Sequence, residues 1–168
     1  MIGLDEIAVR NEWKPGDLGY LVYLHGILYS GEYGYGPVFE AYVAESLAEF
    51  QRRYDPALDR VWICEHSGAI IGSLVIMHRE DNAAQLRYFL LRPEYRGIGL
   101  GKKLMNSAMS YLREMNYTSC YLLTEKGLAA AASLYTRAGF VLTEERDSDI
   151  FGKPGRECRY EMKVVQRP

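Results

Sequence analysis

Seven consecutive residues, Arg96, Gly97, Ile98, Gly99, Leu100, Gly101 and Lys102, carry the clearest chemical signal in the chain. They follow an apolar stretch that ends near Pro93 and precede a segment with helical spacing. Glycines let a backbone turn tightly and approach a ligand closely, while the unpaired N–H groups and positive dipole end of a following helix attract phosphate oxygens. The run therefore reads as a pyrophosphate cradle, and its spacing narrows the kind. A nucleoside triphosphate loop needs Gly-x-x-x-x-Gly-Lys-Ser/Thr, but Gly97 and Gly101 stand one residue too close and Lys103 occupies the hydroxyl position. A dinucleotide fingerprint needs Gly-x-Gly-x-x-Gly, and its last position falls on Lys102 counting from Gly97, or on Leu104 counting from Gly99. Neither pattern fits.

The elements that must hold this loop lie on both sides of it. Residues 7–12 read as a first strand, which Pro15-Gly16-Asp17 breaks, with Asp17 offered as a helix N-cap. Leu18, Leu21, Val22, Leu24, Ile27 and Leu28 follow with imperfect helical spacing, and Gly26, Gly31, Gly34 and Gly36 predict a broken helix and a loop. Pro37 opens a second helix whose core face is Phe39, Val43, Leu47 (or Ser46), Phe50 and Tyr54, ending at Asp55-Pro56. Residues 61–65 and 69–78 read as a hairpin joined by His66-Ser67-Gly68, and 83–91 add a third adjacent strand. The glycine loop then opens a helix with Leu104, Ala108, Tyr111 or Leu112, and Met115 on one face and a stop near Asn116. A strand at 118–124, a helix at 128–138, a strand at 140–145, a loop at 151–155 and a strand at 159–165 complete the order. This is an α/β (α+β) arrangement in one domain, 1–168, with a mixed, mostly antiparallel sheet of six to seven strands flanked by about four helices.

Composition removes several function classes. A formal charge of -2 and a pI near 6.0 leave no electrostatic footprint for nucleic acid. Cys64, Cys120 and Cys158 are odd in number, widely spaced and set in apolar segments, so they read as reduced core thiols rather than a disulfide framework or a metal site. No apolar stretch approaches the length of a membrane span and residues 1–10 lack a leader's apolar region, which together point to the cytoplasm.

The pattern Arg96-Gly97-Ile98-Gly99-Leu100-Gly101, after a strand and opening a helix, resembles the acetyl-coenzyme A loop of the GNAT N-acetyltransferases. A second signature, Leu134-Tyr135-Thr136-Arg137-Ala138-Gly139-Phe140, is similar to the family's Leu-Tyr-x-x-x-Gly-Phe. His25-Gly26-Ile27-Leu28-Tyr29-Ser30-Gly31-Glu32-Tyr33-Gly34 further resembles an element of acetyltransferase domains often fused to MarR-type regulators, although no winged-helix segment is present.

The resemblance implies acetyl-CoA as co-substrate, without a metal. Arg96 to Lys102 would bind its pyrophosphate, and Leu90 and Leu91 would contact the pantetheine and thioester. It makes Tyr135 the general acid for the departing thiolate. A phenol of pKa about 10 stays protonated at neutral pH against a thiol near 8.5. An ammonium with pKa near 10 is only about 0.1% free base at pH 7, so its proton must be removed. The fourth-strand Glu that many members use is replaced here by Gln85 and Arg87, leaving Glu125, Glu32, a water chain or an already neutral amine. The walls of the acceptor pocket would come from His25, Glu32, Tyr33 and Phe151, with the tyrosines at 20, 23, 29, 33, 35 and 42 nearby. The expected activity is direct acetyl transfer to a primary amine of a small metabolite such as an amino acid, amino sugar or polyamine. Protein amines and a non-catalytic acyl-CoA sensor are the alternatives. Expected partners are the small amine and, as in many relatives, a second copy of the chain, with neither nucleic acid nor membrane.

Overall fold

A computed structural model describes residues 2–165. Seven strands form one sheet in the order β1-β2-β3-β4-β5-β7-β6, with β1 at Ala8–Arg10, β2 at Arg60–His66, β3 at Ala69–His78, β4 at Ala83–Leu91, β5 at Ser119–Glu125, β6 at Val141–Ser148 and β7 at Gly155–Lys163. Among the described residues only β4 and β5 pair in parallel. Four helices, α1 (Asp17–Tyr33), α2 (Pro37–Arg53), α3 (Leu100–Glu114) and α4 (Ala129–Ala138), cover the two faces. The predicted mixed sheet and four flanking helices are therefore present. Among the described residues no helix is long and apolar enough to cross a membrane.

Alternation along the strands separates two cores. Val61, Ile63, Val75 and Met77 meet Leu21 of α1 and Phe39, Val43, Leu47 and Phe50 of α2. Trp62, Cys64, Leu74, Ile76, Ala84, Leu86, Cys120 and Leu122 face α3, Tyr135 and Phe140 on the other side. Each fully buried Leu or Phe contributes about 1.5–3 kcal/mol. The β2–β3 hairpin closes on Ser67 (φ 50°) and Gly68 (φ 77°), the two left-handed residues of a tight turn whose twist matches that of the strands. All three cysteines are free and buried, and burial pushes the Cys64 and Cys120 thiols up to about 12, so they are inert.

Three local expectations are corrected. The first helix is not broken: α1 runs unbroken for 17 residues and ends at Gly34, whose left-handed φ of 69° closes the cap. Gly19 and Gly31 face open space, so their missing side chains cost the core nothing, and burial of Leu21, Leu24 and His25 overrides the glycines' low helix propensity. Asp17 is not the N-cap but the first helical residue, after Gly16. Its carboxylate accepts from Arg10 (2.7 Å to each oxygen) and from the Lys14 N–H (2.6 Å), tying β1 to the helix start. The final hairpin is longer than predicted, β6 continuing to Ser148 and β7 starting at Gly155, because Arg146–Glu157 and Arg156–Glu145 pair charges across strands that carry little apolar pattern.

Candidate active site

The site opens where β4 and β5 part. They pair only from Ala83 to Gln85 against Ser119 to Tyr121, after which the two strands diverge. Against β3, β4 carries one extra residue: Ser73 opposes Leu90 while Val75 opposes Arg87. The bulge places Tyr88 at φ 50°, an unfavourable conformation for a bulky residue, which Ser73 Oγ stabilises by donating to the Tyr88 carbonyl at 2.7 Å. Such strain is kept where it re-aims a strand, here at the mouth of the gap.

The glycine loop sits at that mouth. Gly97 (φ 77°) and Gly99 (φ 93°) are both left-handed, and Gly99 caps α3. The first helical bond runs from the Lys103 N–H to the Gly99 carbonyl (3.0 Å), so helix geometry leaves the N–H groups from Gly99 to Lys102 without intrahelical acceptors. Ile98 and Leu100 turn their side chains into the core, whereas Leu90, Leu91, Arg96, Gly97, Gly101 and Lys102 line a cleft of about 660 Å³ with Glu32, Tyr33 and Tyr135. Arg96 donates to the Leu91 carbonyl (2.9 Å) and to both oxygens of Glu32 (2.7 and 2.8 Å). This fork holds the Glu32 carboxyl below its usual range, chiefly through the Arg96 hydrogen bonds.

A second cavity of about 350 Å³ lies on the α2 side of the sheet, walled by His25, Tyr35, Phe39, Tyr42 and Phe151 and floored by Gln85, Arg87, Tyr121 and Glu125. Tyr29, Phe89, Thr124, Leu128 and Tyr135 line both spaces, so the two meet there. The site residues expected from sequence thus divide. Glu32 and Tyr33 belong to the cleft, His25, Glu125 and Phe151 to the cavity, and Tyr135 to the junction. Phe151 reaches its place through Gly152 (φ 81°), where an added Cβ would lie 2.7 Å from Val38. The sequence reading missed Tyr42 as an arginine partner and Arg79, Tyr121 and Glu157 as lining residues; the signal available was strand alternation from Gln85 and Arg87.

Electrostatics fit the division. Tyr135 is buried among Phe89, Phe140 and Tyr160, and burial first, then the neighbouring Tyr29 and Tyr160, push its phenol far above the ordinary value. Glu125 accepts from the Arg156 N–H at 2.8 Å. His25 Nδ1 donates to the Leu21 carbonyl (2.7 Å), and burial, reinforced by the positive charge of Arg87, pushes it down to about 4. A folded-state value below the unfolded one makes this a contribution lost as pH falls. Stability should drop by about 2–3 kcal/mol between pH 7 and pH 4.5 through His25, and His25→Gln should flatten that slope in melting curves taken across this range.

A family model described as the acetyltransferase (GNAT) family matches residues 28–140. The uncharacterized N-acetyltransferase YjgM of Escherichia coli (strain K12) is 33% identical over 115 residues, covering 66% of this chain and 69% of that protein. N-acetyltransferase family 8 member 2 of Rattus norvegicus is 30% identical over 102 residues, 58% of this chain but 45% of the relative, so the chain spans about half the length of such relatives. The solved structure of spermidine N-acetyltransferase from Vibrio cholerae, in complex with CoA and spermine, is a likeness of fold. It has a TM-score of 0.68 at 20% identity, covering 95% of this chain and 96% of that one. With two of the family's motifs meeting at one cleft, the chain belongs to the GNAT family, enzymes that draw acetyl groups from acetyl-CoA.

Proposed function

We propose that this protein transfers acetyl from acetyl-CoA directly to a primary amine of a small molecule. The observation that carries this reading is the meeting of two cavities at Tyr135, Tyr29, Phe89, Thr124 and Leu128, one with a phosphate cradle and one sized for a small amine. The cradle fits a pyrophosphate: left-handed glycines, helix N–H groups without acceptors, and the side chains of Arg96 and Lys102.

In the proposed reaction the amine nitrogen attacks the thioester carbonyl, the C–N bond forms and the C–S bond breaks. Glu125 takes the amine's proton and Tyr135 gives one to the leaving sulfur. A main-chain N–H near Leu91, at the end of β4, faces the developing oxyanion; loss of an oxyanion donor in other acyl-transfer enzymes costs roughly 3 kcal/mol of barrier. Holding amine and thioester together supplies much of the remaining gain. Thiol release measured with saturating acetyl-CoA against a panel of small amines and a panel of peptides tests the reading. Turnover with small amines is expected, and turnover confined to peptides, or none with either panel, would overturn it.

The cradle makes its own prediction. Gly99→Val puts a β-branched residue at a left-handed φ and should weaken acetyl-CoA binding about tenfold or more, measured by calorimetry. Gly101→Ala should be tolerated, because the added Cβ would lie 3.6 Å from Leu134, Leu91 and Phe89, an ordinary contact distance.

A further inference from the structure

Four charged side chains line the smaller cavity: Arg79, Arg87, Glu125 and Glu157. Of the two carboxylates only Glu157 is paired with a cation, while Glu125 has a neutral backbone N–H. Arg146 Nε reaches Glu157 at 2.7 Å, and the Arg156 N–H reaches Glu125 at 2.8 Å. The two guanidiniums have only neutral partners. Arg79 Nε donates to the Gln85 amide oxygen at 2.9 Å. Arg87 donates to the Tyr42 hydroxyl at a long 3.3 Å and lies 4.7 Å from the centre of the Tyr88 ring. Among the described residues neither Arg79 nor Arg87 forms an ion pair with a carboxylate. Arg96, in the neighbouring cleft, is held in a fork by Glu32.

Arg87 is also not a surface arginine that water neutralises freely. It stands half-buried on the face of β4 beneath α2, opposite the fully buried Val75. Taking a cation partly out of water without a counter-ion is unfavourable, and an anionic ligand offsets that cost. A guanidinium oriented by a phenol and an aromatic ring, with donors to spare, suits the bidentate geometry of a carboxylate. Its charge also reaches across the cavity, since it contributes to holding His25 neutral. An ammonium group placed against Arg87 meets repulsion, whereas one placed towards Glu125 does not.

We propose that the acceptor is an amine that itself carries a carboxylate, an amino acid or a close derivative, and that Arg87, oriented by Tyr42, binds the carboxylate while the amine lies towards Glu125 and Tyr135. The inference rests on the acetyl-transfer reading for its chemistry, but binding tests it separately. The aromatic walls, Tyr35, Phe39 and Phe151, favour an apolar or aromatic remainder on the acceptor.

The experiment uses matched pairs that differ only by the carboxylate: phenylalanine with phenethylamine, histidine with histamine, ornithine with putrescine and lysine with cadaverine. Each is measured in two ways, as kcat/KM in the thiol-release assay and as affinity for the CoA-bound protein by calorimetry. At least one amino acid should exceed its decarboxylated partner by about 10- to 100-fold, the range of a hydrogen bond to a charged group. In Arg87→Gln that ratio should collapse towards one, through KM more than kcat, and Arg87→Lys should restore part of it. Should Arg87→Gln fail to fold, Tyr42→Phe, which removes the phenol that orients the guanidinium, should lower the ratio several-fold. Selective amino acid binding without turnover would keep the carboxylate site and remove the acetyl-transfer reading. Equal or better use of the decarboxylated amines, no binding of any pair, or a ratio unchanged in Arg87→Gln would overturn the proposal.

Discussion

Tyr135→Phe should lower kcat by about 100- to 10,000-fold, the usual range for removing a general acid, and leave the KM for acetyl-CoA within about threefold. The substitution takes away one oxygen and keeps the ring that packs between Phe89, Phe140 and Tyr160, so the melting temperature should move little. The position of the hydroxyl depends on the end of α4. Gly139 is left-handed (φ 104°), and the Phe140 N–H returns to the Tyr135 carbonyl at 3.1 Å, which seats Phe140 in the core and fixes the last turn. Because burial raises the phenol well above its ordinary value, it remains a proton donor across the whole assay range. The wild-type rate should therefore show no alkaline loss from Tyr135 up to about pH 10. Initial rates and a pH profile check both points, and a Phe variant within threefold of wild-type kcat would remove Tyr135 from the chemistry.

The parts of this molecule legible from sequence are those that local chemistry dictates. Gly97 and Gly99 stand in the loop because their backbone angles exclude most other residues, and the proline and apolar spacing of α2 define that helix without help from its neighbours. The continuity of α1 was not legible, since its glycines argue against a helix and only packing beneath Leu21, Leu24 and His25 overrides them. The charged β6–β7 hairpin was underestimated for a similar reason: its register is stabilised by cross-strand ion pairs such as Arg146–Glu157, which periodicity does not reveal. Glu32 shows the same limit within the site. It stands 64 residues from Arg96 along the chain, and nothing local to either residue announces their fork. Gln85 and Arg87 were visible as a departure from a carboxylate-bearing strand. That they floor a cavity beneath Tyr42 required the packing of α2 on β4.

The two carboxylates considered as proton acceptors should respond to the same substitution in opposite ways. Glu125→Gln should lower kcat/KM for the amine about 100-fold, since Glu125 borders the cavity that meets Tyr135 and its replacement can no longer take a proton. Part of that loss should be recovered at high pH, where the free amine no longer needs a base. Glu32→Gln should instead leave kcat within about twofold and tighten acetyl-CoA binding by about two- to fivefold, the worth of a solvent-exposed ion pair. Its carboxylate competes with phosphate for Arg96, and the amide competes less. The sign on pH follows from the same fork. Arg96 holds the Glu32 carboxyl below its ordinary value, so the pair persists at neutral pH and is lost only as pH falls through that lowered value. Any acid limb of the rate near pH 5–7 must then come from another group, and should survive in Glu32→Gln. Calorimetry with CoA together with pH–rate profiles of both variants separates the roles. A kcat collapse in Glu32→Gln, or full activity in Glu125→Gln, would exchange them.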